Sequence, residues 1–251
     1  MRRRQKALLP AFLSVALAGF PVFAGSQAAQ APTVDQVLDK YIQALGGRDA
    51  IAKLTTLTMK GSISNPSTGE TGTVEIYMKA PNKRLALINI YAEGLDERGT
   101  NGTAGWYLDP DEGPKDLGSE DLTAIKTQAE FYRDLKLKEV YPQLSSDGQQ
   151  TVGGKPIVVL SSRRPDGSAE KLYFDAESGL LVRDDAPYLT DGGRSVVENV
   201  FEDFRDVDGV KRAFTVRQTS PDFDYVIKFT EIRSNAPIED SKFEKPQGGK
   251  P

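Results

Sequence analysis

Several stretches of this 251-residue chain carry residue types that do chemistry, at spacings that invite a test. Asp206-Val207-Asp208-Gly209 has the alternating carboxylates and the glycine of a calcium loop. The first ligand position of that motif falls on Phe204, which cannot coordinate a cation, and no correctly spaced bidentate glutamate follows. An Asp-Gly hairpin turn accounts for the same letters. Asp109-Pro110-Asp111-Glu112 fails the same test and reads as part of a polar loop from Asp109 to Gly118. Ser168-Ala169-Glu170-Lys171 spells Ser-x-x-Lys, but that catalytic motif starts a helix and here the residues open an expected strand. Gly99, Gly102 and Gly105 are evenly spaced, yet lack the Gly-x-Gly-x-x-Gly pattern and the following helix of a phosphate-binding loop.

The composition removes much of the remaining chemistry. Without histidine or cysteine there is no Ser-His-Asp triad, no Cys-His nucleophile, no ordinary zinc, haem or iron–sulfur site, and no disulfide. Carboxylates are plentiful, and a hydrolase acting on sugars or peptidoglycan through two of them leaves no local spacing signature. That reading stays open behind two binding readings. No catalytic residue, metal or cofactor is assigned.

The elements that would position any site begin after a leader. Arg2, Arg3, Arg4 and Lys6, an apolar run from Ala7 to Ala18, and the breakers Gly19 and Pro21 have the layout of a secretory signal peptide over residues 1–24, with cleavage after Ala24 or Ala28. Its removal takes four of the 32 basic residues and none of the 36 acidic ones, leaving a net charge of −8. Such a surface repels phosphate backbones, so nucleic acid is not expected as a partner.

Residues 25–32 read as an Ala/Gln spacer, residues 33–246 as one domain, and residues 247–251 as a disordered tail. Thr33 and Gln36 predict a capping box opening a helix whose apolar face holds Val34, Val37, Leu38, Tyr41, Ile42 and Leu45, with Gly46-Gly47 at its end. A short turn of helix follows over Asp49–Leu54. The period then changes to two. Strands are expected over Thr56–Ser64, Thr73–Ala80, Arg84–Tyr91, Leu95–Thr100 and Thr103–Leu108, the last two joined at Asn101-Gly102. Ser119 is read as the cap of an interposed helix running to about Leu137, with Leu122, Ile125, Ala129, Tyr132 and Leu135 as its stripe. Strands resume over Pro156–Ser162, Glu170–Asp175, Leu180–Asp185, Ser195–Phe204, Val210–Ser220 and Tyr225–Asn235, with turns at Asp166-Gly167, Ser178-Gly179, Gly192-Gly193 and Asp208-Gly209.

This pattern predicts a mainly β (α+β) fold of about eleven antiparallel strands, strongly curved, with two helices over it. Met59, Met78, Ile88, Trp106, Leu108, Phe174, Phe201 and Phe229 supply large apolar side chains on many strands. They line either a packed core or a concave site for a hydrophobic ligand. In the second case Val37, Leu38, Tyr41, Ile125 and Tyr132 belong to the helices that close it.

The layout of signal, helix, β-meander, interposed helix and further strands resembles outer-membrane lipoprotein-sorting proteins of the LolA/LolB/RseB type. The likeness in letters lies in Asp203-Phe204-Arg205-Asp206-Val207-Asp208-Gly209-Val210-Lys211. It returns in Ile227–Pro246, with Glu231-Ile232, Asn235, Pro237-Ile238 and Asp240-Ser241-Lys242-Phe243. The resemblance implies an unclosed antiparallel barrel with helices as a lid, a periplasmic location, and a non-catalytic role in holding lipoprotein acyl chains or other lipids. The absent cysteine matches a soluble LolA-like carrier rather than the lipid-anchored LolB type. RseB-like relatives imply an alternative, an envelope sensor or interaction module with a protein partner.

Overall fold

The computed structural model describes residues 31–91, 94–163, 169–190 and 193–247. The expected signal peptide, the spacer up to Gln30, the Asp166-Gly167 turn, Gly192 and the tail beyond Gln247 lie outside them.

Helix α1 (Val34–Leu45) starts with the capping box that its sequence predicts. The Thr33 hydroxyl accepts from the Gln36 amide at 3.3 Å, and the Gln36 side chain accepts from the Thr33 amide at 2.9 Å. It ends at Gly46, whose φ of 125° only glycine adopts without strain. A Cβ at Gly46 would also stand 2.0 Å from the Gly209 carbonyl oxygen, so this glycine lets the end of α1 touch a strand turn. The short α2 (Arg48–Ala52) follows.

The strands are β1 (Thr56–Ser64), β2 (Thr71–Lys79), β3 (Lys83–Ile90), β4 (Gly94–Thr100), β5 (Gly105–Asp109), β6 (Gly113–Asp116), β7 (Ser145–Val152), β8 (Lys155–Arg163), β9 (Ala169–Asp175), β10 (Leu181–Thr190), β11 (Gly193–Val207), β12 (Val210–Thr219) and β13 (Asp224–Ser234). Every neighbouring pair is antiparallel, and the spatial order is β6-β5-β4-β3-β2-β1-β13-β12-β11-β10-β9-β8-β7. The sheet is not closed. It is the unclosed barrel expected, with thirteen strands in place of about eleven.

The two extra strands are the two edges. Gly-Pro-Lys-Asp of β6 lies inside the stretch expected to be a loop, and Ser145–Val152 lies between the expected helix and Pro156, where no element is expected. An edge strand with nothing packed on it needs no apolar alternation, and an edge tolerates proline. Period-two reasoning therefore passes over both. Within the first, the Asp109 carboxylate accepts from the amides of Asp111 and Glu112 at 3.0 and 2.8 Å, turning β5 into β6.

The interposed helix is shorter than its stripe predicts. Helix α3 covers Ser119–Ala129 with Gly118, not Ser119, at its N-cap; a 3₁₀ turn (Arg133–Leu135) and α4 (Leu137–Val140) follow. The break has a tertiary cause: the Phe131 amide donates to the Pro81 carbonyl at 3.0 Å, outside the helix. At Asp208-Gly209 both residues have positive φ and connect Val207 directly to its partner Val210, a two-residue hairpin of the I′ kind.

Candidate functional site

Register decides which side chains share a face, because directly opposed residues point the same way. Met59, Ile76 and Ala86 stand opposite one another across β1, β2 and β3, and Leu57, Met78 and Arg84 do so one step away. On the other flank Ile232 opposes Met59, Phe229 opposes Gly61, Val216 opposes Ile227, and Phe201 opposes Val216. Leu57, Ile63, Val74, Ile90, Phe214, Ile227, Phe229 and Ile232 form the buried part of one apolar cluster on this face. Met59, Ile76, Met78, Ile88, Val216 and Tyr225 pack on it while remaining half-buried. Phe201 is half-buried on the same face.

This face is concave. A cavity of about 310 Å³ is lined by Ile63, Ile88 and Ile90, by Gly94, Leu95 and Asp96 of β4, by Gln218 of β12, and by Phe223 and Tyr225. Four strands lie between β4 and β12, so the sheet must curl for both to border one space. Leu95 is 42% exposed at this mouth, and Phe223 stacks on Tyr225 with ring centres 5.3 Å apart. The result is a trough with an apolar floor and a mouth that also carries Asp96 and Gln218.

Helices occupy the two limbs of the concave face. On β8–β10, α1 packs Val37, Leu38, Tyr41, Ile42 and Leu45 against Val158, Leu160, Leu172 and Phe174, with Tyr41 edge-on to Phe174 at 5.3 Å. On β3–β5, α3 lays Leu122 and Ile125 over Gly105. Between them Phe131 packs against both the α1 cluster and the trough.

Polar groups pin the middle segment. Asp134 accepts from the Tyr41 hydroxyl at 2.7 Å and pairs with Arg212 of β12 at 3.3 Å. Burial pushes the Tyr41 hydroxyl well above its ordinary pKa, and the Asp134 charge adds to it. Arg133 donates to the Tyr141 hydroxyl. A polar row crosses the floor beside them: the Gln218 amide donates to Asn199 at 2.9 Å, and Asn199 donates to Asp184 at 2.6 Å. Burial raises the Asp184 carboxyl above its usual range, and the Arg133 charge offsets this only in part. Among the described residues no group of three or more carboxylates could hold a metal ion.

The apolar residues singled out from sequence are divided by the structure. Met59, Met78, Ile88 and Phe229 meet in the trough, with Phe201 on the same face. Phe174 lies under α1 with Val37, Leu38 and Tyr41. Tyr132 packs against that cluster and donates its hydroxyl to the Leu54 carbonyl at 2.9 Å, and Ile125 lies on the buried side of α3. Trp106 and Leu108 point to the outer face. There Trp106 clusters with Leu85 and Phe243, donating its indole N–H to the Phe243 carbonyl at 3.1 Å. Ile76, Val216, Tyr225 and Phe131 were legible as apolar residues, but only register and the helix break bring them to the trough.

The sequence matches no protein-family model and no curated protein. Solved structures do match. A DUF1329 family protein from Desulfovibrio piger superposes with a TM-score of 0.57 at 15% identity, over 84% of this chain and 97% of that one. A LolA superfamily protein from Nitrosomonas europaea gives 0.56 at 13% identity, over 86% and 99%. A domain from Vibrio parahaemolyticus, described as an outer membrane lipoprotein-sorting protein, gives 0.51 at 11%, over 75% and 88%. At these identities the likeness is one of backbone arrangement, and in that sense the chain has the LolA-like fold.

Proposed function

We propose that this chain is a non-catalytic carrier or binder of a hydrophobic ligand, holding an acyl chain of a lipid or lipoprotein in the concave trough. The observation that carries the reading is the trough itself. Half-buried apolar side chains from six strands share this face, and beside them lies the cavity of about 310 Å³ bordered by Ile63, Ile88, Ile90, Leu95, Phe223 and Tyr225. That volume is at the lower end of the roughly 300–1,000 Å³ of small-molecule sites. Burying fifteen carbons contributes about 12 kcal/mol gross at about 0.8 kcal/mol per methylene. Association and ordering costs of several kcal/mol leave a usable affinity.

The basic-then-apolar start of the sequence supports export to the periplasm, with the leader removed after Ala24 or Ala28. An acidic surface then limits adhesion to anionic membranes.

The test is calorimetric titration of delipidated protein with a soluble acyl amphiphile, paired with mass spectrometry of gently purified protein. One bound chain per protein is expected. No heat of binding together with no co-purified lipid would refute the reading.

A further inference from the structure

Arg84 stands on the same face of β3 as Ala86, Ile88 and Ile90, at the end of the row away from the open cavity. It borders a small second pocket of about 70 Å³ beneath α3, together with Arg98, Leu117, Asp121, Ala124, Ile125 and Gln128. The two arginines face this space differently. Arg98 is exposed and spends its Nε–H on Asp96 at 2.8 Å. Arg84 has no hydrogen-bond acceptor among the described residues, although a guanidinium carries five donors. Enough protein packs around it to lower its pKa to about 10, so it stays charged at neutral pH while losing much of its hydration. Asp121, the carboxylate on the α3 side of the pocket, is exposed at the rim.

The Asp96 carboxylate, already held by Arg98, offsets the loss of hydration only in part and accepts no hydrogen bond from Arg84. A half-buried cation whose donors find no acceptor is costly unless something supplies one. The pocket is under a quarter the size of the open cavity, which suits one carboxylate or phosphate and not a hydrocarbon chain. From Arg84 to Ile90 the strand runs about 20 Å at the usual rise, comparable with an extended long acyl chain. The intervening concave-face positions are Ala86 and Ile88, flanked by Ile76 and Val74.

We infer that Arg84 is the binding site for the anionic head of an amphiphile, a carboxylate or a phosphate ester, whose tail lies along β3 in the trough. This rests on the carrier reading and narrows it from hydrophobic ligands in general to anionic ones. The bidentate geometry of guanidinium with either oxyanion is the chemistry that would recognise the head.

The experiment compares dodecanoate, dodecyl phosphate, dodecanol and inorganic phosphate by calorimetry at low ionic strength. The wild-type protein is expected to bind both anionic dodecyl compounds at least about tenfold more tightly than dodecanol, as charge-assisted hydrogen bonds require. Inorganic phosphate alone is expected to bind far more weakly. Arg84→Gln should bring the ratio of anionic to dodecanol affinity close to one, and Arg84→Lys should keep part of the preference. Equal binding of dodecanoate and dodecanol overturns the inference and leaves the carrier reading standing. Binding of no dodecyl compound overturns both. Phosphate binding as tightly as dodecyl phosphate overturns the link between head site and trough. Should Arg84→Gln not fold, the wild-type comparison of dodecanoate with dodecanol still decides, because a chain with 36 acidic and 32 basic residues has no general attraction for anions.

Discussion

The indole N–H of Trp106 donates to the main-chain carbonyl of Phe243 at 3.1 Å, joining two residues 137 positions apart on the outer face of the sheet. Trp106 also covers Gly99, where a Cβ would stand 2.6 Å from its ring. The C-terminal segment is thereby strapped across β3 and β5, with Phe243 fully buried.

The lone tryptophan consequently reports the strap and not the trough. Acyl ligands are expected to leave its emission maximum unchanged. Phe243→Ala should shift the emission to the red and lower stability by about 3–5 kcal/mol. Fluorescence and denaturant titration check both, and a ligand-induced shift would place the ligand on the wrong face.

Ile88 and Leu108 test the division of faces directly. Both are half-buried, Ile88 in the trough and Leu108 on the outer face. Ile88→Glu should weaken acyl binding by more than about tenfold, since a carboxylate must then be desolvated beside the chain. Leu108→Glu should leave binding unchanged. Circular dichroism confirms folding of each variant before titration.

Gly46 and Gly47 both have positive φ, but only Gly46 also abuts a carbonyl oxygen. Replacing Gly46 with Ala should destabilise the protein by more than the roughly 1 kcal/mol of backbone strain alone. Gly47→Ala, with its nearest neighbour 3.9 Å away, should cost less. Urea midpoints of the two variants give the comparison.

Asp184 makes stability depend on pH in a direction opposite to Glu75 and Asp175. Its carboxyl pKa is raised in the folded state, chiefly by burial. The folded protein therefore binds the proton more readily than the unfolded chain, and this contribution grows as pH falls through the folded pKa. From about pH 7 to about pH 4, the wild-type protein should gain stability relative to Asp184→Asn. Carboxylates with lowered pKa, such as Glu75 and Asp175, lose stability on acidification in both proteins and cancel in the difference. Urea titrations of the pair across that range measure it, and a flat difference contradicts the assignment.

Most elements were legible because their signals are local. The capping box of Thr33 and Gln36, the alternation of β1–β3 and the Asp208-Gly209 turn depend on neighbours within a few residues. The misses have the opposite character. Strands β6 and β7 are uncovered edges with no apolar side to announce them, and α3 stops where Phe131 finds the Pro81 carbonyl from a distant turn.

The sequence by itself determined that a curved antiparallel sheet forms, that α1 has one apolar stripe, and that histidine, cysteine and ordinary metal chemistry are absent. Alternation tells which side chains of one strand share a face. It does not relate the faces of different strands, because that parity is set by register, by the bulge between Lys60 and Gly61, and by the length of each turn. The tertiary structure decided that Met59, Met78, Ile88 and Phe229 meet while Trp106 turns away. It also decided which apolar surface is filled by α1 and which is left half-open, since side chains of equal hydrophobicity differ only in what the fold sets against them.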